Sequence, residues 1–367
     1  MTGMAIYYMN AKVISRSSGR SSVAAAAYRS GTKLTNARDG VVHDYSQRTD
    51  VVHSEITLPG HAPERWLDRS TLWNDVELNE KSASAQTARE ILFALPRELN
   101  EREQVVFARA YARSLAREGM VVDWSIHSGK GENPHCHMLC TMSPCDANGF
   151  TPRTVNVYTV RNDSGEEREM TAAELKQAGE SWVKTYRYKG GKTLTQAEAE
   201  AQGLHPTRDR KGKTPVQNKR YTVDWNAHSK LDQWRERLAT MQNAALEAAG
   251  SEKRVDHRSY AERGIDRIPT VHEGPAVTHI ERAEQLRAER EGREYEPVTG
   301  IRRLNMMIKK ANGRLEALME KAKRSFMEWR RSMNDVDRGR SANQQRRANR
   351  SSRQGRRAQR GHGGMSR

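Results

Sequence analysis

The segment HSGKGENPHCH, His127 to His137, carries the residues best suited to chemistry in this chain. Alternate side chains on a β-strand share a face, so His135 and His137 project together and Cys136 points away. His127 ends the preceding apolar run Val121–His127, and the glycine-containing turn Ser128–Asn133 folds the chain back into Pro134–Met142. Three neutral imidazoles then meet at one edge of a hairpin. A nitrogen set of this kind, with coordination positions left open, suits a catalytic metal rather than a structural one, and the bound ion would polarise a phosphate oxygen. An HxH pair alone carries little information. The third histidine eight residues before His135 makes the pattern more specific. The competing reading is a surface pair beside an ordinary strand-end histidine.

A metal electrophile needs an attacking group, either water or a side chain. Tyr28 lies on a short alanine-rich segment, Val23–Gly31, directly after the polar, basic loop Ser15–Ser22, whose Arg16, Arg20 and serine hydroxyls suit phosphate contacts. A tyrosine that attacks a phosphodiester forms a covalent phosphotyrosine and conserves the bond energy for resealing. The alternative is a Tyr28 packed in the core by its alanines, and residue pattern alone does not separate it from Tyr7 and Tyr8 on the first strand.

The elements that would position these groups follow from period and punctuation. Residues 4–14, 41–45, 51–58, 89–95, 121–127 and 134–142 read as strands; 23–31, 63–81 and 101–118 read as helices, with Asn100 as a cap and Gly31 as a stop. The late strands, joined by a short loop, should be antiparallel. The expected fold is α+β, a central antiparallel sheet of about five strands with helices on one face, followed by a helical, basic C-terminal extension. Residues 145–222 form a variable polar excursion, rich in cations between Arg208 and Arg220. A helix returns over 225–249. Residues 276–330 are read as a long helix, its regular part from 281 on, with Ile301, Ile308, Leu315, Ala322 and Trp329 in heptad spacing. This spacing fits either dimerisation or a helix folded back on its own domain.

The chain has 367 residues and a formal charge of +17. Its last segment, 331–367, holds eleven arginines against two acids and reads as a disordered, Arg-rich tail suited to a polyanion. Three cysteines within ten positions, Cys136, Cys140 and Cys145, make a poor disulfide framework and point to a reducing, cytoplasmic setting. No apolar run reaches the ~20 residues of a membrane-spanning helix, and no GxxxxGK[ST] phosphate loop is present.

Four stretches, AIYYMNAKVISRSSGRSSVAAAAYRSG (5–31), HDYSQRTDVVHSEI (43–56), AREILFALPREL (88–99) and IHSGKGENPHCHMLC (126–140), occur in one order with DHRSYAERGIDRIPTVHEGP (256–275). In this order they resemble the MobA/MobL family of plasmid relaxases, the MOBQ group of the HUH endonuclease superfamily. The resemblance implies a nicking domain over 4–275 with Tyr28 as nucleophile, His127, His135 and His137 as ligands of Mg²⁺ or Mn²⁺, and reversible cleavage of one DNA strand at a plasmid transfer origin. It also implies single-stranded origin DNA as substrate, with accessory mobilisation proteins and a type IV secretion coupling protein as partners. Relatives often carry a second acid two residues after the position of Glu90, where this chain has Leu92. Glu90 is therefore a candidate for orienting a metal histidine, with pairing to Arg89 or Arg97 as the plainer role; Glu77 and Asp44 are further orienting candidates. Arg16, Arg20, Arg29 and Arg48 are the expected DNA-backbone contacts. The rival functions are a replication initiator of the same superfamily, in which the tyrosine often follows the histidines, a metal-dependent hydrolytic nuclease, and a non-catalytic nucleic-acid-binding protein.

Overall fold

The computed structural model describes residues 7–128 and 133–361, with backbone only for Pro275 and residues 332–361. The expected start of the first strand and most of the glycine turn lie outside the described residues. The chain divides into two compact units, residues 1–257 and 258–367.

The first unit begins with β1 (Met9–Ser15) and α1 (Ser22–Ser30). The Ser21 hydroxyl caps α1 by accepting from the Val23 and Ala24 amides, and Gly31 closes it at φ 64°, a left-handed conformation that glycine adopts without strain. A β-carbon at Gly31 would also meet the Val51 side chain at 3.1 Å, so the residue permits both the turn and the close approach. The small hairpin β2 (Lys33–Thr35) and β3 (Val42–Asp44) leads to β4 (Val51–Thr57). Then follow α2 (Arg69–Asn79), β5 (Gln86–Ala94), α3 (Glu101–Ala116), β6 (Val122–His127) and β7 (His135–Thr141). Asn100 caps α3 in a reciprocal box with Glu103, an arrangement worth about 1 kcal/mol.

These strands form the expected five-stranded antiparallel sheet in the order β1-β5-β7-β6-β4. One face is apolar. Ile91, Phe93, Trp124, Ile126, Cys136 and Met138 pack against Phe107 and Tyr111 of α3 and against Trp234 and Leu238 of α6 (His228–Ala248). The helices expected on one face are thus α3 and α6. The opposite face is covered as well, by α1 and α2, whose Ala26, Ala27, Leu72 and Trp73 meet Ile14, Ala88 and Leu139. Small residues on α1 let its backbone sit close to the sheet, and the histidines and Glu90 lie on this second face by strand parity.

Between β7 and α6 the excursion folds into small pieces. A two-residue ladder, β8 (Cys145–Asp146) with β9 (Gly149–Phe150), precedes β10 (Thr154–Arg161). Around β10 a second sheet assembles, with β11 (Glu167–Met170) on one side and, along the other, β12 (Val183–Lys184) and β15 (Gln217–Tyr221). The intervening chain holds α4 (Ala172–Ala178), the pair β13 (Tyr186–Arg187) and β14 (Thr193–Leu194), and α5 (Gln196–Ala201). Arg153 ties the second sheet to the first through Glu80 and the Gln86 carbonyl.

The second unit contains α7 (Gly274–Glu291) and α8 (Gly300–Gly361). The long helix expected over 276–330 is interrupted at residues 292–299, where Gly292 adopts φ 66° and Pro297 follows. Asn305 and Asn312, one heptad apart on α8 and buried, grip the extended segment before α7. Asn305 bonds both the amide and the carbonyl of Val271, and Asn312 does the same to Ile268. Of the heptad residues, Ile308 is buried while Trp329 is exposed. The backbone of α8 runs to Gly361, through most of the segment expected to form a disordered tail, which is rich in the favourable helix formers arginine, alanine and glutamine.

Candidate metal centre and tyrosine

β6 and β7 pair so that His127 stands opposite His135, and His137 lies two residues further along the same face. The three rings are 4.6 to 5.4 Å apart between centroids, and one nitrogen from each lies within 4.8 Å of the other two. Each ring has its other nitrogen occupied. His135 Nδ1 faces the Asn133 carbonyl at 2.9 Å, His137 Nδ1 faces Glu90 at 2.8 Å, and His127 Nε2 faces the Arg29 carbonyl at 2.6 Å. A ring that donates one N–H outward presents the lone pair of the other nitrogen inward. The donor set therefore fits a divalent ion, which His135 Nε2, His137 Nε2 and His127 Nδ1 would hold, with outer hydrogen bonds that fix each ring.

Burial lowers the His127 pKa to about 4 despite the Arg29 carbonyl, and burial also lowers that of His137 against the pull of Glu90. Burial thus favours the neutral, metal-binding form of both rings. Glu90 is buried and meets two cations, Arg29 at 2.5 Å and Lys12 at 3.0 Å, together with the His137 ring. Burial would raise its pKa, but the His137 hydrogen bond and the charges of Arg29 and Lys12 prevail and hold it well below the usual range. It pairs with neither Arg89 nor Arg97. Leu92 stands directly opposite His137 in the register, so the position two residues after Glu90 gives that ring an apolar neighbour.

Glu77 and Asp44 make no described contact to the histidines. Glu77 is buried beneath the start of α1, where it accepts from the Ser22 amide and hydroxyl and from Arg16. Asp44 bonds Ser46 at the surface hairpin. The second carboxylate near the triad is Asp50, 3.9 Å from His127 Nδ1, which the sequence reading missed. The available signal was the β4–β6 pairing, in which Val51 stands opposite His127.

Tyr28, on the last turn of α1, is 44% exposed rather than packed among its alanines. Arg48 lies over its ring at 4.0 Å, and Tyr45 meets it edge-on at 5.2 Å between centroids. The same guanidinium donates to the Tyr28 carbonyl and to both oxygens of Asp50, and reaches His127 Nδ1 at 3.4 Å. Tyr7 differs. Its hydroxyl donates to the Arg235 carbonyl, and burial raises its pKa far above the ordinary value.

Of the arginines expected to contact DNA, Arg16 is bound to Glu77 and the Glu80 carbonyl, Arg29 to Glu90 and Arg48 to Asp50. Arg20 is exposed and has no partner among the described residues.

The chain is thus an α+β protein in which three histidines that could hold a metal ion stand on adjacent strands, linked through Arg48 to an exposed tyrosine. A model of the MobA/MobL family matches residues 20–283, and the chain belongs to that family. Mobilization protein MobL of Acidithiobacillus ferridurans is 34% identical over 285 residues, covering 76% of this chain and 64% of that protein. Conjugal transfer protein TraA of Rhizobium radiobacter is 32% identical over 299 residues, covering 78% and 23%. The chain thus spans under two thirds of the length of these relatives. A structure solved for the molecular basis of vancomycin resistance transfer in Staphylococcus aureus aligns at a TM-score of 0.50 and 30% identity, covering 70% of this chain and all of that one. Among the described residues no helix is long and apolar enough to cross a membrane.

Proposed function

We propose that this chain is a relaxase that nicks one strand at a plasmid transfer origin through Tyr28. The observation that carries the reading is the physical link between tyrosine and triad: Arg48 touches both, and the carbonyl of Arg29, the next residue, holds His127. The Tyr28 hydroxyl oxygen attacks the scissile phosphorus and loses its proton as the new P–O bond forms. The bond to the 3′ oxygen breaks, and that oxygen takes up a proton to become a free 3′-OH. The strand's 5′ phosphate stays on Tyr28, and the reverse reaction reseals it. Mg²⁺ or Mn²⁺ bound at the histidines would draw charge from the non-bridging oxygens. Arg48 orients the tyrosine ring, and Glu90 fixes His137. Exposed Arg20, on the loop before α1, is positioned to meet the phosphate backbone. Origin DNA and the transfer machinery are the corresponding partners, in line with the mobilisation and conjugal transfer names of the relatives.

The test is to incubate the protein with Mn²⁺ and the origin strand and to map any covalent adduct on a denaturing gel. The expected result is linkage at Tyr28, abolished in Tyr28→Phe. Cleavage without an adduct would establish hydrolysis by water instead, and an adduct undiminished in Tyr28→Phe would remove the assignment.

A further inference from the structure

The second sheet confines its strand acids to one face. In an antiparallel ladder directly opposed residues share a face, so Lys184 and Arg168, both opposite Val160, lie on one side with Tyr158, Lys219 and Tyr221. No strand position on this side is acidic. The strand carboxylates, Glu167 and Glu169, fall on the other side, where Glu167 meets Arg161 and Glu169 accepts from Asn218. Arg220 on that side is neutralised by Glu174. A sheet face kept wet for solubility mixes signs, as this second side does; the first side carries cations alone.

The acid-free face also carries the aromatic groups. Lys184 lies 4.0 Å over the Tyr158 ring, and Arg168 lies 4.9 Å over Trp182. Arg168 is offset by Glu166 in the adjoining turn, whereas Lys184 and Lys219 have no carboxylate partner among the described residues. Tyr221 is 69% exposed, on an edge strand whose five residues are all exposed, and it sits two positions, about 7 Å, from Lys219. Ammonium groups without counter-charge beside an open aromatic ring are the two elements that hold a single strand without reading its sequence: cations for the phosphates and a ring face for the bases.

We propose that this face of the second sheet is a platform for single-stranded DNA, separate from the metal centre and its tyrosine, which holds strand beyond the cleavage point. The platform rests on the relaxase reading for its biological purpose but not for its test. Because stacking tolerates any base, the probe is an oligo(dT) strand of about 30 nucleotides, titrated against the full chain by fluorescence anisotropy. The double variant Lys219→Ala/Tyr221→Ala should bind it about tenfold more weakly, with a salt dependence flattened by about one released counterion. Tyr221→Trp, which keeps a stacking ring, should retain affinity. Arg220→Ala, one residue away on the opposite face, should match the parent protein. Unchanged binding by the double variant would overturn the platform, as would an equal loss in Arg220→Ala. Heparin has charge but no bases, so Tyr221→Ala alone should weaken oligo(dT) and not heparin; equal weakening would also overturn it. Adduct formation on the origin strand is scored separately, so a failure of the nicking chemistry is distinguishable from a failure of the platform.

Discussion

The two sheets of the first unit use charge in opposite ways. In the five-stranded sheet the carboxylates near the site are buried and matched: Glu90 with Arg29 and Lys12, Glu77 with Arg16, Asp123 with Arg69. In the four-stranded sheet one face matches its charges and the other leaves two lysines without partners. Matched, buried pairs hold side chains in place but are poorly available to a ligand. Unmatched surface cations do the reverse. The contrast separates Arg16, Arg29 and Arg48, which are bound internally, from the exposed Arg20 and the lysines of the second sheet.

The comparison is tested most severely by metal removal. Chelation should abolish strand linkage while oligo(dT) binding persists, since the second sheet requires no ion; joint loss in a gel-shift and adduct assay would break the separation. Next in size is Glu90→Gln, which leaves Arg29 and Lys12 without their shared carboxylate and weakens the hold on His137. Calorimetric Mn²⁺ affinity should fall about 10- to 100-fold, and an unchanged affinity would mean Glu90 serves packing alone. Acid should come next. The His127 pKa is about 4 when folded and near 6.5 when unfolded, so between these values the unfolded chain binds more protons and stability rises with pH. That contribution is complete above about pH 6.5 and is lost as the solution is acidified toward pH 4. Glu90, depressed when folded, adds loss of the same sign below its unfolded value. Denaturant titrations from pH 7 to 5 should show falling stability, and His127→Asn should flatten the upper part of that slope. The smallest effect is expected from Arg48→Ala. Losing the ring contact should lower the rate of linkage by roughly 2- to 30-fold, with partial recovery in Arg48→Lys and little change in strand affinity. A loss of affinity at constant rate would make Arg48 a DNA contact instead.

The histidine cluster was legible because a period of two fixes which side chains converge. The five strands were legible for the same reason. Tyr28 was not separable from Tyr7 by pattern, since the difference lies in a hydrogen bond from Tyr7 to the Arg235 carbonyl, 228 residues away. The internal partners of the arginines were not legible for a similar reason: Arg16 and Arg29 each find an acid 61 residues on in the chain. Asp50 was hidden by the irregular register between Val51 and His53. The helix break at 292–299 did leave signs, Gly292 and Pro297, but the regular heptad spacing drew attention past them.

The bond from His127 Nε2 to the Arg29 carbonyl has a dynamic consequence. It joins the last turn of α1 to the end of β6, so a displacement of one carries the other with it. A change in the spacing between the tyrosine's turn and the triad would have to stretch or break that bond. A phosphate bridging the two would meet a nearly constant span even while the surrounding chain moves.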